Sequence, residues 1–166
     1  MPHEREIATN NTHPRLRFMI PLKPLSANRM HGVFRGRKIK SREGREFEVV
    51  CNNLLASFFD QAKLFIENFD ENTQAIRVEY KFYFPHHELV TKNGSLMRRR
   101  NDVDNMVKVF QDQVFKFMNI DDALVTEIRA TKIPSISHWT EITLQAINIP
   151  DQAPLPELPG FSDLDH

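Results

Sequence analysis

Residues 98–125 read RRRNDVDNMVKVFQDQVFKFMNIDDALV, and the fold turns on what the middle of this stretch becomes. Val103, Met106, Val107, Phe110, Val114 and Phe117 recur at the spacing of one helix face, while Asp104, Lys108, Gln111 and Asp112 fall on the other. The spacing predicts a core-packed helix beginning near Asp104. A helix starts with unpaired N–H groups and a partial positive charge, so acids there are favourable by about 0.3–1 kcal/mol before any function is considered. On structural grounds alone, Asp102 or Asn101 is an N-cap, Arg98, Arg99 and Arg100 are a solvated charge run, and Asp121 with Asp122 forms a turn after the helix.

The combination asks for more than a cap. Asp102, Asp104 and an acid of the Asp121–Asp122 pair can converge around one helix and the turn that follows it. Lys108 lies one helical turn beyond Asp104, and three arginines stand just upstream. Carboxylates are preferred ligands of Mg²⁺, and arginines suit phosphate. Together they point to metal-dependent phosphodiester hydrolysis, a reaction slow enough uncatalysed to need an ion that activates water and neutralises the leaving oxygen. Crowded acids repel one another unless a cation is present, which favours the same reading. Lys108 is the candidate contact to the scissile phosphate or leaving oxygen; its plain alternative is an i, i+4 ion pair worth about 0.2–0.5 kcal/mol. Mg²⁺ is the expected ion, with Mn²⁺ as substitute.

Working outward, residues 124–133 and 139–147 alternate as two strands joined by a turn at 134–138, and residues 76–84 alternate as a strand stopped by Pro85. Asn93-Gly94 is a strong hairpin signal between short runs, placing Arg98–Arg100 on the return arm of a small ribbon. Ser41 suits the N-cap of a helix running to about Phe65, with Phe47, Val50, Cys51, Leu54, Leu55, Phe58, Ala62 and Phe65 along one side. Residues 15–20 alternate as a half-buried strand ending at Pro21. Between them, residues 21–40 predict a long loop or irregular hairpin, stiffened by Pro21 and Pro24 and turned at Gly32 and Gly36. Long loops in small domains are usually functional. This one can lay Arg35, Arg37, Lys38 and Lys40 along a phosphate backbone, with Phe34 either stacking on a base or, the favoured reading, anchoring the loop in the core. The expected fold is α+β: a small mixed β-sheet of about four strands with two helices packed on one face, in the order β-α-β-α-β-β.

The run R-R-R-N-D-V-D-N-M-V-K, continued by the D-D pair after the helix, resembles the RusA-type Holliday junction resolvases, metal-dependent endonucleases carried largely by phages and prophages. Pro24, Ser26, Asn28 and Arg29, followed by Arg35-Gly36-Arg37 and Ser41, resemble that family's N-terminal segment and its basic turn. The resemblance implies a crossover junction endodeoxyribonuclease acting in DNA recombination and repair. It implies Asp102, Asp104 and Asp122 as catalytic metal ligands with Asp121 as alternate, Lys108 as catalytic, and DNA contact by Asn28, Arg29, Arg35, Arg37, Lys38, Lys40, Arg98, Arg99 and Arg100. It also implies a homodimer acting on four-way junctions and branched DNA by paired symmetric nicks.

The 166 residues, 40% of them hydrophobic, suit one domain. Residues 1–13 predict a disordered segment, 14–149 the nuclease domain, and 150–166 a Pro-rich acidic disordered tail. No apolar run approaches the ~18 residues of a membrane span and no signal-peptide core follows Met1, so a cytoplasmic place in a bacterial or phage-infected cell is expected. Net charge is zero, but from Arg15 to Arg45 ten Lys and Arg oppose Glu43 alone, a local footprint compatible with DNA. Cys51 is read as a buried thiol. His86, His87 and Glu88 make a weak metal cluster, since neighbours in extended chain face opposite ways. Two rivals stand: Asp70 with Glu79 and Lys81 as a restriction-like set, and a noncatalytic binder of branched or single-stranded DNA.

Overall fold

A computed structural model describes residues 13–97 and 102–149. Its frame is a four-stranded mixed sheet in the order β1-β6-β4-β5, built from Arg15–Ile20 (β1), Gln74–Pro85 (β4), Val125–Ser135 (β5) and Trp139–Asn148 (β6). β6 runs antiparallel to both β1 and β4, whereas β5 pairs parallel with β4. A parallel neighbour needs a crossover. The helix predicted from residue 104, α5 (Val103–Met118), supplies it and packs back over the sheet.

Strand alternation divides the sheet into two unlike faces. Leu16, Phe18 and Ile20 of β1, Val78, Tyr80, Phe82 and Phe84 of β4, and Ile142 and Leu144 of β6 point inward and are buried. Against them pack α2 (Arg42–Ala56), α3 (Phe59–Glu67) and α5. Edge-to-face ring pairs knit the layers: Phe18 with Phe58 at 5.3 Å and Phe47 with Phe110 at 5.5 Å. Such pairs add about 0.5–1.5 kcal/mol beyond area burial. The outer face is polar. There Glu141, only 5% exposed, accepts from Arg17 at 3.0 Å and Tyr83 at 3.1 Å with Lys81 at 3.5 Å, and Arg77 grips Glu127.

The α+β class, the mixed four-stranded sheet and its coarse order are as the sequence predicts, with refinements. The helix expected from Ser41 to Phe65 is two helices, because the chain turns at Ser57 and Phe58, where the Ser57 hydroxyl and amide both donate to Leu54 O. The turn lets Phe58 fold onto Phe18. Residues 27–30 form a short helix, α1, followed by a hairpin of His31–Phe34 (β2) and Arg37–Lys40 (β3), and His86–Leu89 form one further turn, α4. Phe115, which stands off the main apolar stripe, is 3% exposed and buried with Val109 and Gln113. α5 is covered on more sides than a two-layer surface helix. Cys51 is fully buried, and burial, helped by the Glu48 charge, pushes its thiol up to about 12, so it offers no thiolate. No described helix is long and apolar enough to cross a membrane.

Candidate active site

α5 is fixed by its buried face, and this fixing places the acids. Met106, Val109, Phe110 and Val114 lock the helix against the sheet, leaving Asp104, Lys108, Gln111 and Asp112 along one open stripe. Opposite the stripe, Asp121 and Asp122 begin the 3₁₀ turn Asp122–Leu124 that leads into β5. Between them lies an open cleft of about 750 Å³ lined by Asp104, Lys108, Gln111, Asp112, Asp122 and, from β5, Ile128 and Ala130. The crossover brings residues 104 and 122 onto one cleft.

The acids of the pair have different employment. Asp121 Oδ1 accepts from the Ala123 amide at 2.9 Å, capping the turn, whereas Asp122 Oδ2 accepts from Gln111 Nε2 at 3.3 Å and faces α5. Near the cleft, the Tyr80 hydroxyl is buried and has no hydrogen-bond partner among the described residues. Burial, and then the negative charges of Asp112 and Asp122, hold the phenol firmly protonated. A buried O–H without an acceptor, under two acids, is costly in the absence of a further polar group.

Asp102 is placed differently. Its backbone is in the N-cap conformation, φ −60° and ψ 124°, but its side chain makes no capping bond, so the structural explanation of this acid is not realised. Residues two apart on a helix lie about 200° apart around the axis, and Asp102 lines a separate cleft with Asn28, Arg29, Lys23, Glu88 and Asn105. The two clefts flank the start of α5. Among the described residues no three acid, histidine or cysteine side chains converge closely enough to hold a metal ion.

Residues 21–145 match the family described as endodeoxyribonuclease RusA. The chain belongs to the RusA family. It is thereby a Holliday junction resolvase, a crossover junction endodeoxyribonuclease, within a family of metal-dependent nucleases. No curated protein matches the chain.

Against that RusA assignment, the rival set finds other work. Asp70 closes its own turn, accepting from the Asn72 amide at 3.0 Å and the Thr73 hydroxyl at 2.8 Å. Glu79 and Lys81 stand on the outer sheet face, Lys81 beside Glu141. Glu88 accepts from Lys23 at 3.0 Å and contacts His138 at 3.1 Å, tying α4 to neighbouring loops.

Of the basic candidates, Arg29 is paired with Glu43 and Lys40 with Glu48, both on α2. No acid pairs with Arg35, Arg37 or Lys38 among the described residues, and Asn28 lies in the Asp102 cleft. Arg98, Arg99 and Arg100 lie outside the described residues. Phe34, read as a core anchor, is 58% exposed on a hairpin that neither face of the body covers. Asp112 and Tyr80 are additions to the site. Asp112 was legible as the residue eight after Asp104 on the same polar stripe; Tyr80 looked like any inward strand residue. In kind, the open cleft of carboxylates suits Mg²⁺, which favours oxygen donors and keeps several waters.

Proposed function

We propose that this enzyme resolves four-way junctions and related branched DNA by paired symmetric nicks made at the cleft between α5 and the 3₁₀ turn, with Asp104 and Asp122 as ligands of Mg²⁺, Mn²⁺ substituting, and with Asp102 as the third ligand, turned in from its neighbouring cleft when the ion binds. The observation that carries the reading is Asp104, Lys108 and Asp122 around one open cleft, with Asp121 spent on its own turn. Mg²⁺ bound there supplies an activated water and neutralises charge on the phosphate and the leaving oxygen. Asp104 and Asp122 approach from the two walls, and Asp102 comes from the extended residue before α5. Gln111 orients Asp122 through its amide. Asp112 deepens the negative potential that attracts a cation, and Lys108 offers its ammonium to the phosphate. Arg35, Arg37 and Lys38, with Asn28, Arg29, Lys40 and Arg98–Arg100, contact the DNA arms. The enzyme works in the cytoplasm of a bacterial or phage-infected cell.

A labelled four-way junction incubated with and without Mg²⁺ tests this. Paired cuts in Mg²⁺ and none in EDTA are expected; cutting that survives EDTA overturns the metal role, and tight binding without cutting in either buffer makes the chain a noncatalytic binder. A junction presents two equivalent strands related by near two-fold symmetry, and the described residues bring Asp104 and Asp122 onto one cleft, so the working unit is a homodimer. Light scattering should give about twice 19.5 kDa. A monomer that still makes paired, symmetric nicks defeats the dimer.

A further inference from the structure

The β2–β3 ribbon is a poor candidate for a purely electrostatic arm. Val33 is 80% exposed, Phe34 58% and Ile39 44%, three large apolar side chains on eight paired residues. Directly opposed residues of an antiparallel pair share a face, so Phe34, Arg37 and Ile39 lie on one side of the ribbon and Val33, Lys38 and Lys40 on the other. Neither side is covered by the described residues, and a Cβ added at Gly32 would meet nothing within 4 Å among them. The tip is a two-residue turn with both central residues left-handed, Arg35 at φ 49° and Gly36 at 75°, the geometry that matches ribbon twist. It holds the Arg35 guanidinium 5.3 Å from the centroid of the Phe34 ring.

Apolar side chains left in water on a ribbon with no core of its own point to a partner. Three such side chains are too few for a protein interface, which takes roughly 20–30 residues a side. The charge identifies the partner class. Residues 31–40 contain Arg35, Arg37, Lys38 and Lys40 and no acid, and the first three have no acidic partner among the described residues. A cationic ribbon with an exposed ring beneath a guanidinium suits nucleic acid whose bases are unstacked, since rings and guanidinium planes stack on any base.

We propose that the Val33–Phe34 end of this ribbon enters the branch point and stacks on bases unpaired there, so that it recognises branching while the cations recognise backbone. The inference rests on the reading of the chain as a junction-cutting enzyme and adds the element that selects the branch. The test is binding of the full chain, in Ca²⁺ to withhold cleavage, to a four-way junction and to a linear duplex of the same sequence, with 2-aminopurine at the branch point. Phe34→Ala is expected to weaken junction binding roughly 5- to 100-fold, the contribution of one stacked base, while duplex affinity and salt slope stay unchanged. Phe34→Trp is expected to restore junction binding and the 2-aminopurine response. Equal losses on junction and duplex, or no loss on either, overturn the proposal while the cutting reading stands if the parent still cleaves in Mg²⁺. A parent that neither prefers nor cuts the junction overturns both. Phe34 is exposed, so the variants keep the fold, which far-ultraviolet dichroism checks.

Discussion

Helix α5 and the β2–β3 ribbon are held in place by opposite means. α5 buries eight residues and makes the crossover between parallel strands, so its acids and Lys108 are positioned by the whole core. The ribbon buries no residue of its own, and among the described residues it is tied at its root. There Ser41 N donates to Met30 O at 2.9 Å, Ser41 Oγ to Arg29 O at 2.6 Å, and Arg45 to Lys40 O at 2.7 Å. Chemistry on a reacting phosphate needs sub-ångström placement, whereas recognition of a branched, variable shape tolerates a hinge. The molecule puts its acids on the rigid element and its exposed apolar groups on the adjustable one.

The largest expected effects fall on the rigid side. Asp104→Asn and Asp122→Asn should each lower junction cleavage by more than about 100-fold, since even residues that merely support a metal ligand are worth 10- to 100-fold. Binding should survive, because a carboxylate facing phosphate is removed and the helix is unaffected. If Asp104→Asn cuts at the parental rate, the cleft is not the site. A pair of phenylalanines sharpens the contrast. Phe110→Ala should cost about 3–5 kcal/mol in urea unfolding, as it removes a ring packed between Phe47 and Phe82. Phe34→Ala should change stability by less than about 0.5 kcal/mol. Similar losses for the two would mean that the ribbon is part of the core.

What could be read from sequence follows the same division. α5 was legible because one-sided burial imposes a 3.6-residue period, and β1, β4 and β6 were legible because one buried face imposes a period of two. The ribbon gave no such period: HGVFRGRKIK has no side that the body covers, and its turn is carried by Arg35-Gly36 rather than the commoner Asn-Gly. The break at Ser57–Phe58 is equally silent, since Phe58 continues the apolar stripe of α2 while serving a different helix. For the site, the sequence allows Asp102 and Asp104 to converge around one helix, whereas the fold opens them onto separate clefts. Once Val103 is helical, the second acid turns to the far side of the axis. Asp112 was legible on the polar stripe, about two turns along from Asp104, but not as a wall of the same cleft.

Smaller effects belong to the ribbon. Neutralising Arg35, Arg37 and Lys38 together should weaken duplex binding and reduce the slope of log affinity against log salt by roughly 0.9 for each phosphate that no longer meets a cation, about 2.7 in all. Arg29 and Arg42, each paired with an acid of α2, should each change the slope by clearly less than that ~0.9 when replaced. A triple variant with an unchanged slope would show that the ribbon touches no phosphate and that its charge is only solvated.

The smallest expected effect tests a side chain that joins the two regions. Glu48 of α2 accepts from Lys40 at the foot of the ribbon and, through its other oxygen, from Lys116 of α5 at 3.1 Å. The hydrogen bond from Lys40, then that from Lys116, hold its carboxyl below the usual range against the opposing pull of burial. A carboxyl depressed in the folded state contributes stability that is complete above its unfolded pKa near 4.3 and is lost as pH falls through its lower folded value. The tie should therefore loosen only under acid, and at neutral pH Glu48→Gln should cost about 0.2–1 kcal/mol, in the range of partly exposed ion pairs. If the tie sets where the ribbon stands relative to the acids, Glu48→Gln should lower cleavage of junctions without changing their affinity, and raising salt should reproduce part of that loss in the parent. A variant with parental cleavage at every salt would show that the ribbon and α5 act independently, each held by its own anchors.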